Sequence, residues 1–173
     1  MTYVIRLCRP EEAGDLLNVE AAAGERFREV GLPEIADNPT SETDFVKAFL
    51  RGGIAQVAID GADRPVGFCL TGELDGGGHI YELSVHPAHG RQGLGKRLVD
   101  AACDAVRVRG ARYMTLSTFK DVPWNAPFYA RLGFEMLDID ELTPALLILH
   151  QREQAGGMPM SRRCMMRKPL RTY

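Results

Sequence analysis

Apolar positions along the chain switch between a period of two and a period near four, and the switches mark out alternating strands and helices. Tyr3 to Leu7 alternates and is β-rich, which predicts a short first strand. Pro10-Glu11-Glu12 suits a helix start, and residues 10–23 read as a helix carrying Leu16, Leu17 and Val19. Residues 24–40 mix aromatic, charged, Gly and Pro residues and predict a short helix plus loop. Ser41-Glu42-Thr43-Asp44 is a capping signal for a helix to about Leu50, stopped by Gly52-Gly53. Strands at 54–59, 66–73 and 79–86, separated by turns at Asp60–Pro65 and Asp75–Gly78, predict an antiparallel meander.

A helix over 93–109 places Leu94, Leu98, Ala101, Ala102, Ala105 and Val108 at helical spacing, with Gly110 at its end. Tyr113 to Thr118 reads as a strand, and the strand–helix–strand order makes it parallel to 79–86. Pro123 opens a short helix to Leu132. A strand over 134–139, a helix from Thr143-Pro144 to Gln154 and a last strand over 162–167 complete the pattern. Parallel neighbours with helices on the faces imply an α/β-type core. No interior stretch reads as a linker, so 1–173 is expected to be a single domain.

The stretch with the most chemistry is 80–98, IYELSVHPAHGRQGLGKRL. An apolar strand ends at His86-Pro87, a loop with Gly90, Gly93 and Gly95 follows, and a helix opens at Leu94. Glycines let backbone N–H groups approach a ligand, and the unpaired N–H groups of a helix's first turn bind phosphate. Arg91, Lys96 and Arg97 add positive charge. The same spacing also suits a plain strand-to-helix turn, and for Arg97 a solvated helix face. A Walker A loop is excluded because Arg97, not Ser or Thr, follows Lys96. A dinucleotide fingerprint is excluded because Leu98 occupies the third glycine position.

Composition narrows the partners. At 173 residues, 45% hydrophobic and 25% charged, the chain is ordinary for a soluble domain. A net charge of −2 gives no general attraction to nucleic acid or an anionic membrane. Cys8, Cys69, Cys103 and Cys164 are far apart and lack zinc-site spacing, so they are expected to be reduced thiols in a cytoplasmic protein with no metal. No basic-then-apolar leader and no membrane-length apolar run is present.

Leu83-Ser84-Val85-His86-Pro87 followed by Arg91-Gln92-Gly93-Leu94-Gly95 resembles the acetyl-CoA signature of the GNAT superfamily of N-acetyltransferases. Phe128-Tyr129-Ala130-Arg131-Leu132-Gly133-Phe134 resembles its second signature, and the order of elements over about 3–168 agrees. The resemblance implies a mixed central sheet of about seven strands, antiparallel in its N-terminal part, with a splayed parallel pair and flanking helices. It implies a bulge in the strand at 80–86 and acetyl-CoA as cosubstrate. The pantetheine arm would bond backbone around Leu83, Ser84 and Val85, and an N–H near Val85 would polarise the thioester. The pyrophosphate would sit on backbone from Arg91, Gln92, Gly93, Leu94 and Gly95 to Lys96. Two positions depart from the pattern: Gly90 stands where the family usually has Arg or Gln, and Val122 where it often has Asn. Asn125 is then either a displaced CoA contact or a helix cap.

The resemblance places Tyr129 as the acid that protonates the departing CoA sulfur, a role suited to a phenol that holds its proton at neutral pH. A core aromatic beside Phe128 is the other reading. Glu82 is the first candidate base, expected on the strand face that carries Ile80 and Ser84 and among apolar groups that raise its pKa. His79, expected to be exposed, His86, expected in a loop, and water acting on an amine that arrives neutral are its rivals. Ser117, Thr118, Trp124 and Asp121 could line the acceptor side. So could the segment 24–40, with Glu25, Arg26, Phe27, Arg28, Glu29, Glu34 and Asp37, although these also suit a solvated loop. The implied reaction is acetyl transfer from acetyl-CoA to a primary amine of a small molecule by direct attack. A protein or peptide acetyltransferase and a non-catalytic acyl-CoA-binding module are the alternatives, and a homodimer is compatible with the resemblance.

Overall fold

The computed structural model describes residues 2–38 and 53–170. Seven strands form one mixed sheet in the order β1-β2-β3-β4-β5-β7-β6, flanked by helices. The strands are β1 (Val4–Leu7), β2 (Ile54–Ile59), β3 (Pro65–Leu74), β4 (Gly77–Val85), β5 (Tyr113–Phe119), β6 (Glu135–Met136) and β7 (Arg163–Pro169). The helices are α1 (Ala13–Gly24), α2 (Pro33–Asp37), α3 (Leu94–Val108), α4 (Ala126–Arg131) and α5 (Pro144–Ala155). The helix expected over 41–50 lies outside the described residues. The chain divides into two compact units, one of residues 1–72 and 81–105, the other of 73–80 and 106–173.

In the first unit β1 pairs antiparallel with β2, and β2 with β3. Alternation on β2 and β3 sends Ala55, Val57, Ile59, Phe68 and Leu70 to one face, where Leu16 and Val19 of α1 close the core. Phe68 is completely buried, a burial that favours folding by about 1.5–3 kcal/mol. The start of α1 is fixed by charge. Arg6 on β1 makes a bidentate pair with Glu12 (Nη1–Oε2 2.9 Å, Nη2–Oε1 2.5 Å), and Glu12 Oε2 also accepts from the Arg9 N–H at 2.7 Å. The Arg6 guanidinium holds the Glu12 carboxyl below its ordinary range. On the opposite face, Gly67 leaves room for Leu98 of α3, which would stand 3.3 Å from an added Cβ.

α3 buries Leu94, Leu98, Val99, Ala102, Cys103 and Val106, and the stripe is not quite the expected one. Val108 is 86% exposed: it sits in the last turn, and the ends of the helical stripe rotate off the core.

In the second unit β4 pairs parallel with β5 through Gly78↔Met114, His79↔Thr115 and Ile80↔Leu116, as the crossover rule predicts. β5 pairs antiparallel with β7 along its full length, from Tyr113↔Pro169 to Phe119↔Arg163. The strand expected over 134–139 is reduced to β6. Glu135 and Met136 pair on the outer edge of β7, the Leu137 N–H still reaches the Met165 carbonyl at 3.0 Å, and the chain then turns into a 3-10 turn at Ile139–Glu141. The turn leading into β4 has positive φ at both Asp75 (50°) and Gly76 (73°), as a type I′ hairpin requires. Its Asp75 carbonyl accepts from the Tyr113 hydroxyl at 2.6 Å, and its Oδ2 accepts from Ala145 N–H at 3.0 Å, capping α5.

Candidate active site

The end of β4 carries the first group of sequence-identified residues. On β3, residues 67–71 pair in unbroken register with β2, so Gly67 and Gly72 face opposite sides. The Tyr81 ring covers Gly72, whose added Cβ would lie 2.9 Å from it, whereas Val85 Cγ2 covers Gly67 at 3.2 Å. Four residues apart, Tyr81 and Val85 would share a face in a regular strand. They do not, so β4 loses one alternation between them, which is a β-bulge. Ser84 Oγ donates to Glu82 Oε1 at 2.8 Å, so these two share a face opposite Val85. The bulge therefore lies at Tyr81–Glu82, and Glu82 faces the same side as Tyr81 rather than Ile80, correcting the alternation assumed from sequence.

After Val85, the His86 N–H bonds to the Val66 carbonyl at 2.9 Å and a 3-10 turn spans Pro87–His89. His86 is a loop residue, as expected: its Nδ1 accepts from the Ala88 N–H at 3.2 Å, and it borders an open groove of about 260 Å³ with Asp15, Asn18 and Arg64. His89 bonds Tyr3, Nδ1 to Oη at 3.0 Å. Gly90 has an ordinary φ of −64°, but an added Cβ would stand 3.1 Å from the Pro87 carbonyl, so the turn is tight where the resemblance expects a long side chain. The left-handed positions are Arg91 (φ 57°) and Gly93 (φ 71°).

The first backbone bond of α3 runs from Arg97 N–H to Gly93 carbonyl at 3.2 Å. The N–H groups of Leu94, Gly95 and Lys96 therefore lie ahead of the helical ladder. No acidic residue occupies the first turn. This fits an anion: the dipole end is positive and no carboxylate opposes it. Leu94 is buried and anchors the turn, whereas Arg91 and Gln92 are exposed. The two cations near the start of α3 are already engaged. Lys96 pairs with Asp100 at 2.5 Å, and Arg97, which is exposed as expected of a solvated helix face, also donates to the Tyr3 carbonyl at 2.9 Å.

The second group belongs to the other unit. Asn125 stands at the N-cap of α4 with no side-chain cap hydrogen bond, so its amide is not used to cap. Its carbonyl accepts from Phe128 and Tyr129 N–H at 2.8 and 3.0 Å. Val122, where the resemblance expects Asn, is fully buried. Tyr129 is buried with edge contacts to Phe128 (5.1 Å between centroids) and Phe134 (5.6 Å). Gly133, at φ 88°, ends the helix and turns Phe134 back so that its N–H meets the Tyr129 carbonyl at 3.1 Å.

His79 is not exposed. It is buried, and its Nδ1 lies 2.8 Å from Thr115 Oγ1, which in turn donates to the Gly78 carbonyl at 3.1 Å. The single Thr115 proton is thus committed, so His79 Nδ1 carries the hydrogen it shares with Thr115. Burial lowers the imidazole to about 4, so it is neutral at physiological pH. Asp121 is held by Arg162 at 2.9 Å, and Ser117 accepts from Arg163 Nη2 at 2.8 Å. Arg163 also lies 4.6 Å from the Phe119 ring and makes a bidentate pair with Glu153 on α5, at 2.6 and 3.1 Å. Sequence reading missed this pair because no local spacing links a helix carboxylate to a later strand. In the segment after α1, Arg28 binds both Glu25 and Asp37, at 2.9 and 2.6 Å, so those acids are matched internally. Among the described residues no His, Cys, Asp and Glu cluster could hold a metal ion, and no helix is long and apolar enough to cross a membrane.

The model of the Acetyltransferase (GNAT) family matches residues 22–134. A mycothiol acetyltransferase of Corynebacterium glutamicum is 41% identical over 64 residues, covering 34% of this chain and 20% of that protein. The chain thus spans about a fifth of the length of this curated relative. Among solved structures, the ribosomal-protein-S18-alanine N-acetyltransferase of Escherichia coli superposes with a TM-score of 0.72 at 16% identity, over 99% of this chain and 96% of that one. The PaiA N-acetyltransferase of Thermoplasma acidophilum, solved with coenzyme A, gives 0.71 at 16% identity, over 98% and 99%. At these identities the superpositions establish the fold.

Proposed function

The chain belongs to the acetyltransferase (GNAT) family, and on that premise we propose that it is an N-acetyltransferase that moves the acetyl group of acetyl-CoA to a primary amine of a small molecule by direct attack. The observation that carries the reading is the start of α3. Three N–H groups precede the ladder, a glycine takes φ 71°, and no acid lies in the first turn. That is a seat for the pyrophosphate of a CoA thioester. Arg91 and Gln92 flank it, and the backbone of Leu83, Ser84 and Val85, freed from regular pairing by the bulge, supports the pantetheine arm.

Three roles follow. An N–H near Val85 polarises the thioester carbonyl, and the preorganised backbone makes this effective. Glu82 takes the proton of the attacking amine, directly or through a water. The amine nitrogen bonds to the carbonyl carbon, the C–S bond breaks, and Tyr129 gives its hydroxyl proton to the departing sulfur. Tyr129 then recovers a proton from solvent, so the products are the amide and free CoA thiol. Asn125, whose amide does not cap α4, is assigned to the cosubstrate.

The curated relative is named for a small molecule and has the higher identity, which weighs toward a small amine over a protein. The four cysteines form no disulfide, which fits a reducing compartment such as the cytoplasm. The test is a panel of amino acids, polyamines, amino sugars and N-terminal peptides incubated with acetyl-CoA, with products identified by mass spectrometry. Acetylation of one small-amine class is expected. Acetylated peptides alone would overturn the acceptor assignment.

A further inference from the structure

We propose that Ser84 is a positioning residue for Glu82: it holds one oxygen of that carboxylate and sets the pH at which the carboxylate accepts a proton. The inference rests on the reading above, in which Glu82 takes the amine proton. Ser84 Oγ lies 2.8 Å from Glu82 Oε1 and is the donor, and Ser84 is only 5% exposed. Neighbours two apart on a strand point the same way, and the bulge at Tyr81–Glu82 resets the alternation so that both leave the α3 face. On that opposite face the neighbouring side chains of β2 and β3 are the apolar set around Phe68 and Leu70. A carboxylate on an apolar face rises in pKa, and a donor to its charged form draws it back. Ser84 supplies that donor from the same strand, so its geometry survives movement of neighbouring elements. It also restricts the carboxylate to one rotation, which an exposed Glu would not have.

Cys69 of β3 is coupled to Glu82, and also to Cys103 of α3. Burial pushes the Cys69 thiol well above its ordinary value, so it stays neutral throughout an ordinary assay range. The acid limb of a rate profile would therefore report the carboxylate and not this thiol.

The experiment is the pH profile of kcat/KM for the amine in the wild type, Ser84→Ala, Ser84→Thr and Glu82→Gln. Thermal unfolding of each variant confirms that it folds. For Ser84→Ala the acid limb is expected to move up by about 1–2 pH units, the equivalent of one hydrogen bond to a charged acceptor. kcat should fall roughly threefold to tenfold with KM for acetyl-CoA unchanged, because the cosubstrate contact assigned to Ser84 runs through its backbone. Ser84→Thr should restore both. Glu82→Gln should abolish the limb. A Ser84→Ala profile that overlays the wild type, with the limb lost in Glu82→Gln, overturns the role of Ser84 and leaves the base in place. A limb that persists in Glu82→Gln removes the base, and the Ser84 proposal with it.

Discussion

Replacing Gly93 by Ala isolates the contribution of one backbone conformation to cosubstrate binding. Gly93 has φ 71°, and an added Cβ would meet nothing within 4 Å. The perturbation is therefore conformational alone. An L-residue in the left-handed region costs roughly 1–2 kcal/mol, and the smaller unfolded-state entropy of Ala offsets about 0.4–1 kcal/mol of that. A net penalty of about 1 kcal/mol remains, near fivefold in an equilibrium constant. With nothing packed on the new methyl, the free loop can leave the left-handed region, and the penalty then falls on the step that needs the loop re-formed. Gly31 supplies the control, because it too has φ 71° and open space around an added Cβ, but it lies in the turn before α2. Gly31→Ala should lower the Tm by ~2–4 °C for a chain of this size and leave CoA binding alone. Gly93→Ala should weaken CoA about fivefold by titration calorimetry. A wild-type Kd for Gly93→Ala, or an equal loss of affinity in Gly31→Ala, would refute the assignment of this loop as the anion seat.

Tyr129→Phe keeps the ring contacts with Phe128 and Phe134, so stability and CoA affinity should hold while kcat drops on the order of 100-fold; an unaltered kcat removes the acid role. His79 titrates near 4 in the folded protein, below its ordinary value of 6.5, so its stabilising contribution is complete above pH 6.5 and is lost as pH falls toward 4. The wild type should lose on the order of 3 kcal/mol across that window in denaturant titrations, and His79→Gln should lose markedly less. An added Cβ on Gly77 would overlap the Tyr113 ring, so Gly77→Ala should displace that ring, break its bond to the Asp75 carbonyl and destabilise the protein by about 1–3 kcal/mol in the same titrations.

Strands and helices with a clean period were readable from the residues. β2 begins and ends where its Ile54–Ile59 run does, and the crossover through α3 correctly made β5 parallel to β4. What was not legible depends on distant partners. The 134–139 run has strand composition, yet only Glu135 and Met136 find a ladder on β7, because a strand exists only as far as its neighbour pairs with it. Nothing local says that the last strand inserts beside β5, or that Thr115 and the surrounding chain bury His79 behind three glycines. At the site, the glycines of the loop and the cap position of Asn125 could be read from residue type. The bulge came only from the family resemblance, and its consequence for Glu82 needed the packing of Tyr81 on Gly72 and of Val85 on Gly67. Arg97 shows the same limit, since its partner is the carbonyl of Tyr3, far away in sequence.

The central claim is that one chain binds acetyl-CoA at the start of α3 and transfers its acetyl group to an amine with Tyr129 as the acid. Initial rates of CoA thiol release, with and without the amine identified by the panel, test it in the wild type and Tyr129→Phe side by side. The account predicts amine-dependent release in the wild type, one thiol per amide formed, and a roughly 100-fold slower rate in Tyr129→Phe at equal CoA occupancy. Thiol release that is independent of every amine, or equal in the two proteins, would contradict it.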